Sequence, residues 1–185
     1  MATVALHRDK LIQAAIRLYR EKGYANTGLS EILKLSGAPK GSLYHYFPGG
    51  KEELTAIAVT VAGQVVARTL LDLLEQSSSP QAFVAAYCEL LAGWMEGSRF
   101  KSGCPIATTV LEAVPFSARI TQACQAAFGQ WINIIAPVFE RAGLGKQEAQ
   151  NQAEHVIATI EGALLLARLQ QSAVPIRNLA RWFDH

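Results

Sequence analysis

Apolar residues in this chain recur at steps of three and four, and no run of alternating apolar and polar residues suggests a strand. Leu11, Ala14, Ala15, Leu18 and Tyr19 give a first helix an apolar face over residues 8–22, and Gly23 stops it. Asn26 and Thr27 offer cap oxygens to a second helix reaching residue 35, with Glu31 near its positive end. Ser36-Gly37 makes a turn. A third helix then runs from Pro39 or Lys40 to Phe47, where Pro48-Gly49-Gly50 ends it. Further helices are predicted over residues 51–76, 81–96, 105–112, 116–142 (kinked near Pro137), 147–171 and 175–183. Serine-, proline- and glycine-rich segments separate them. The pattern predicts an all-α fold of about nine helices, with a small head over residues 1–50 and a helical body over 51–185.

Composition supports a packed core, since half of the residues are hydrophobic and only 17% are charged. Residues 120–139 are uncharged and long enough to span a bilayer. Gln122, Gln125, Gln130, Asn133 and Pro137 interrupt them, however, so a buried protein helix is expected and no membrane partner. The net charge of +2 is unevenly spread. Residues 1–54 carry eight Lys/Arg against five Asp/Glu, net +3, and the remainder carries nine against ten, net −1. A basic head on a near-neutral body fits phosphate binding. Cys88, Cys104 and Cys124 form no CxxC pair, and their odd number points to a reduced, cytoplasmic setting. Arg8, Asp9 and Lys10 charge the N-terminus at once, where a signal peptide would be apolar.

Residues 36–54, SGAPKGSLYHYFPGGKEEL, hold the chemistry most suited to DNA. They form a tight turn, a short basic and aromatic helix, and a second helix start, as in a helix-turn-helix that docks in a groove. Lys40, Gly41, Ser42, Tyr44 and His45 fall on or beside the exposed face, while Leu43, Tyr46 and Phe47 point inward. Gly41 costs about 1 kcal/mol relative to Ala in a helix, which close approach to DNA or packing on the second helix would justify. Lys51 opens the fourth helix as a phosphate anchor, and Thr27 offers another. A helical hairpin with solvated lysines would share these features.

The residues 23–54 resemble the DNA-binding domain of the TetR family of bacterial repressors. The match lies in the glycine-ended first helix, Thr27, Ile32, Ser36-Gly37, Gly41-x-Leu43-Tyr44-x-Tyr46-Phe47 and Lys51-Glu52-x-Leu54. Pro39 stands where the family often has Ser or Thr, so a hydroxyl contact is lost. Three residues, not the usual two, separate Phe47 from Lys51. That FPGGKEEL form, with GCPI at 103–106 and EGALLLAR at 161–168, resembles the LmrA/YxaF-type branch, some members of which respond to flavonoids or drugs. The resemblance implies an all-α fold: a three-helix helix-turn-helix DNA-binding domain, then a helical ligand-binding and dimerisation domain.

In the body, Gly162, Ala163 and Ala167 permit close helix approach, and Leu166 with Ile160, Leu164 and Leu165 adds apolar area for a homodimer seam. Tyr87, Trp94, Phe100, Phe116, Phe128 and Trp131 could wall a ligand pocket, with His155 and Gln125 as polar partners, or could be ordinary core. Cys104, at the start of a helix, is either a ligand-site or reactive thiol or a small buried hydrophobe. His7, His45, His155 and His185 are scattered, and no metal cluster, cofactor loop or nucleophile motif suggests an enzyme. The expected protein is a dimeric repressor that binds double-stranded, palindromic operator DNA and is released by a small inducer. A thiol-responsive regulator acting through Cys104, and a DNA-binding regulator without inducer, are the alternatives.

Overall fold

A computed structural model describes residues 2–39 and 41–183, so Lys40 and His185 lie outside the described residues. Every regular element among the described residues is helical: α1 (Ala2–Lys22), α2 (Leu29–Ser36), α3 (Ser42–Tyr46), α4 (Gly50–Gln76), α5 (Pro80–Gly97), α6 (Pro105–Ala113), α7 (Ala118–Arg141), α8 (Lys146–Gln170) and α9 (Val174–Trp182). The chain divides into two compact units, one of Met1–Gln64 with Pro105–Ala127 and one of Val65–Cys104 with Phe128–His185. Helices α4 and α7 each contribute to both.

In the first unit, α1 packs against α2, α3 and α6. Leu11, Ala15, Leu18 and Tyr19 meet Ile32, Leu43, Phe47 and Leu54 in its core. Tyr19 carries a polar tip into that core, where its hydroxyl and Thr55 Oγ1 share a buried 2.7 Å hydrogen bond. Burial pushes its phenol up to about 12. The Tyr19 carbonyl is also occupied, accepting from Thr108 Oγ1 of α6 at 3.2 Å.

In the second unit, α5, α8 and α9 pack on one another. Ser79 Oγ accepts from the Ala82 N–H at 3.1 Å, and Pro80 occupies the first turn, giving α5 a well-capped start. Arg177 of α9 forks onto two carboxylates of α5, reaching Glu89 at 2.9 Å and Glu96 at 2.7 Å.

The helix boundaries depart from the sequence expectation in informative places. Helix α3 is shorter, starting at Ser42, because the Pro39 carbonyl accepts from both the Ser42 N–H at 2.9 Å and the Ser42 hydroxyl at 2.6 Å in a preceding turn. Helix α2 starts at Leu29 behind Gly28, without a side-chain cap. Asn26 and Thr27 bond backward instead, to the Lys22 and Gly23 carbonyls. Helix α7 runs through Pro137 to Arg141. By length and composition α4 could cross a membrane, but half of its most apolar window is buried inside the protein, as in a core helix.

Candidate nucleic-acid interface

The turn between α2 and α3 follows from Ser36-Gly37. Gly37 adopts φ 63° and ψ 17°, a left-handed conformation suited to glycine, and its N–H caps α2 by donating to the Leu33 carbonyl at 3.1 Å. Ser36 Oγ donates to the same carbonyl and accepts from the Ala38 N–H. This turn sets α3 on the core through buried Leu43 and Phe47, with Tyr46 half-buried beside them. Tyr44 and His45 are left exposed on the other face, while Ser42 is half-buried. Among the described residues, nothing beyond its chain neighbours lies within 4 Å of where a methyl group on exposed Gly41 would stand. Packing on α2 therefore does not explain that glycine.

Two expected phosphate contacts are occupied within the chain. Thr27 is fully buried and its hydroxyl donates to the Gly23 carbonyl at 2.7 Å, which withdraws it from the DNA-facing set. Lys51 is half-buried: its Nζ donates to the Tyr24 carbonyl at 2.7 Å and stands 4.1 Å from the Tyr24 ring centroid. Burial lowers its pKa, while the Glu112 carboxylate opposes that shift. Its first role here is to join α4 to the α1–α2 loop. The two glycines before it sit in a close and a left-handed position respectively. A methyl group on Gly49 would lie 2.8 Å from Arg119 Nη1, and Gly50 takes φ 64° to begin α4.

The body residues separate by exposure. Tyr87 and Trp131 are buried, stacked or edge-on against Phe83 and half-buried Phe128. Trp94 and His155 are exposed, as are Phe116 and Gln125, so their positions do not match an enclosed pocket wall. Phe100 is half-buried. Half-buried Cys104 hydrogen-bonds the Glu161 carboxyl, and the same two residues bear electrostatically on the Tyr87 hydroxyl. Burial raises the pKa of Glu161, with the thiol bond opposing it, and pushes the Tyr87 phenol above its ordinary range. A methyl group on Gly103 would lie 3.4 Å from Arg168 Nη1. The GCPI and EGALLLAR segments therefore meet in space.

On α8, Ala163 and Ala167 are buried within the protomer at 7% and 0% exposure and cannot form an outward seam. Four residues apart, they share the inward face with Ile160. Gly162, Leu165, Leu166 and Leu169 form the outward row instead, at steps of three and four residues.

The family model for bacterial regulatory proteins of the tetR family matches residues 11–56. That for the C-terminal domain of LmrA/YxaF-like transcriptional regulators matches residues 80–182, more than half of the chain. The chain belongs to the TetR family. It is 32% identical over 173 residues to the uncharacterized HTH-type transcriptional regulator YxaF of Bacillus subtilis, covering 94% of this chain and 91% of that protein. The HTH-type transcriptional regulator LmrA of the same organism is 31% identical, with 94% and 92% covered. Among solved structures, regulatory protein TetR from Rhodobacter sphaeroides superposes with a TM-score of 0.86 at 28% identity, covering 96% of this chain and 97% of that one.

This TetR-family protein is a transcriptional regulator and not an enzyme, and the LmrA/YxaF-like branch assignment from residues 47–54, 103–106 and 161–168 agrees with the family match. Among the described residues no group of three or more His, Cys, Asp or Glu is placed to hold a metal. Sequence reasoning missed Tyr24 and Glu112, which hold the head together, and the meeting of Glu161 with Cys104. Glu112 lies 87 positions from its partner Ala25, and neither residue carries a local signal of the pairing.

Proposed function

We propose that this regulator binds a palindromic DNA operator as a cytoplasmic homodimer and releases it when a small aromatic or drug-like inducer enters the body. The observation that carries the DNA reading is α3 itself. Its inner residues are anchored, Tyr44 and His45 face out, and Gly41 leaves open space where no protein atom requires it. A backbone without a side chain at that position suits close approach to a groove or phosphate. Two heads reading half-sites one DNA turn apart would supply the affinity that one short helix lacks. The outward row of Gly162, Leu165, Leu166 and Leu169 is the apolar surface proposed for the partner copy.

The inducer is proposed to lie near Tyr87, Cys104 and Glu161, where a desolvated carboxyl and a thiol meet a phenol stacked on Phe83. Cys104 is proposed to serve there as a hydrogen-bond partner of Glu161. Ligand would shift the body toward a form in which α4 changes the spacing of the two heads. Selection of duplexes from a random pool by the full chain tests the DNA reading. Enrichment of an inverted repeat, lost in Tyr44→Ala, is expected, and failure to enrich any sequence would sink it. A thermal-shift screen with flavonoids and cationic drugs, followed by release from the enriched duplex, tests the inducer.

A further inference from the structure

The corner between α6 and α7 holds the DNA-reading head from outside its core. Glu112, in the last turn of α6, accepts the Ala25 N–H at 2.7 Å. Its carboxylate lies so close to Gly23 that a methyl group there would meet Oε1 at 2.6 Å and Oε2 at 2.9 Å. One turn earlier, Thr108 donates to the Tyr19 carbonyl. Beyond the corner, the Ser117 hydroxyl donates to the Glu52 carboxylate, and Arg119 stands against Gly49. The α1–α2 loop is therefore held by two charges of opposite sign, Glu112 from α6 and Lys51 from α4, each bonded to loop backbone. Both bonds are charge-assisted, the stronger kind of hydrogen bond.

Ala25 and Gly49 are exposed, whereas the head's core consists of residues from α1 to α4. The Glu112 clasp thus orients a loop without supplying the apolar packing that folds the unit. That loop leads directly into α2, whose helical bonds begin at the Gly28 carbonyl. A shift of the loop would carry α2, and with it the turn that seats α3. Helix α6 begins at Pro105, one peptide bond after Cys104, so a displacement of Cys104 acts on the start of the same short helix.

We propose that Glu112 is a positioning residue for operator recognition, the group through which α6 fixes the α1–α2 loop and thereby the reading orientation of α3. The proposal rests on the operator-binding reading above. Its test uses the full chain, a duplex enriched by the wild type and a random-sequence duplex of equal length. Glu112→Ala should weaken the enriched duplex roughly tenfold, as when the competent orientation falls to about a tenth of the population, and leave the random duplex no weaker. Glu112→Gln keeps a carbonyl oxygen for the Ala25 N–H and should stay within about threefold of wild type. Hydrogen exchange at Ala25 should accelerate in the Ala variant and not in the Gln variant. Glu112→Met, similar in length and helix propensity but without the oxygen acceptors, provides the same comparison if Glu112→Ala is unstable. Enriched-duplex affinity at the wild-type level in Glu112→Ala or Glu112→Met overturns the proposal, as does equal loss of affinity in Gln and Ala variants. A wild type that enriches no sequence would instead remove the operator reading beneath it.

Discussion

Tyr19 shows how a single hydroxyl can tie two helices without disturbing the core around it. Its bond to Thr55 is buried, and Thr55 keeps a second bond to the Lys51 carbonyl when the phenol is removed. Tyr19→Phe is therefore expected to cost about 1 kcal/mol in denaturant unfolding at neutral pH. The phenol titrates near 12 in the folded chain against 10.0 ordinarily. Its contribution is full below pH 10 and is lost as pH rises toward about 12, because the unfolded state releases its proton first. The wild-type advantage over Tyr19→Phe should shrink over that interval. Gly41 should behave oppositely with respect to folding and binding. With φ −78° and, among the described residues beyond its chain neighbours, nothing within 4 Å of an added methyl group, Gly41→Ala is expected to stabilise by about 0.4–1 kcal/mol while weakening the enriched duplex. Equal affinity with raised stability would show that DNA does not approach that position.

Helices α8 and α9 allow their roles to be tested separately. If the outward row seats the proposed partner copy, Leu166→Glu should give a monomer in light scattering where the wild type gives a dimer, with little loss of protomer helicity. Ala167→Leu, at a fully buried position, should instead destabilise the protomer by about 1–3 kcal/mol through overpacking. The α5–α9 contact should be sensitive to acid. Arg177 holds Glu96 below its ordinary pKa of 4.5, chiefly through the hydrogen bond between them. A depressed carboxylate stabilises the fold above its unfolded pKa and ceases to do so as pH falls through the folded value. The difference in melting temperature between wild type and Arg177→Ala should thus be full at neutral pH and fade below about 4.5. Periodicity and the stop signals at Gly23, Gly37 and Ser79-Pro80 made these helices legible. The face that α8 turns outward was not legible, because Ala163, Leu165, Leu166 and Ala167 are all apolar. Only the packing of α5 and α9 separates inside from outside.

At the scale of the whole molecule, the turn and the inner face of α3 were readable because they depend on neighbours a few residues away. Thr27 and Lys51 were not, since their hydrogen bonds run to the Gly23 and Tyr24 carbonyls and a sequence does not show which backbone oxygens remain open. Glu112 and the pairing of Cys104 with Glu161 required the fold itself. The first compact unit includes Pro105–Ala127, so the DNA-reading part is not a contiguous N-terminal stretch. Grafting only residues 1–50 onto another body would leave Ala25 and Gly49 facing a foreign corner. A transplantable reader would instead join residue 64 to residue 105 through a short linker, and chimeras cut at the helix-turn-helix alone should inherit a misaligned reader.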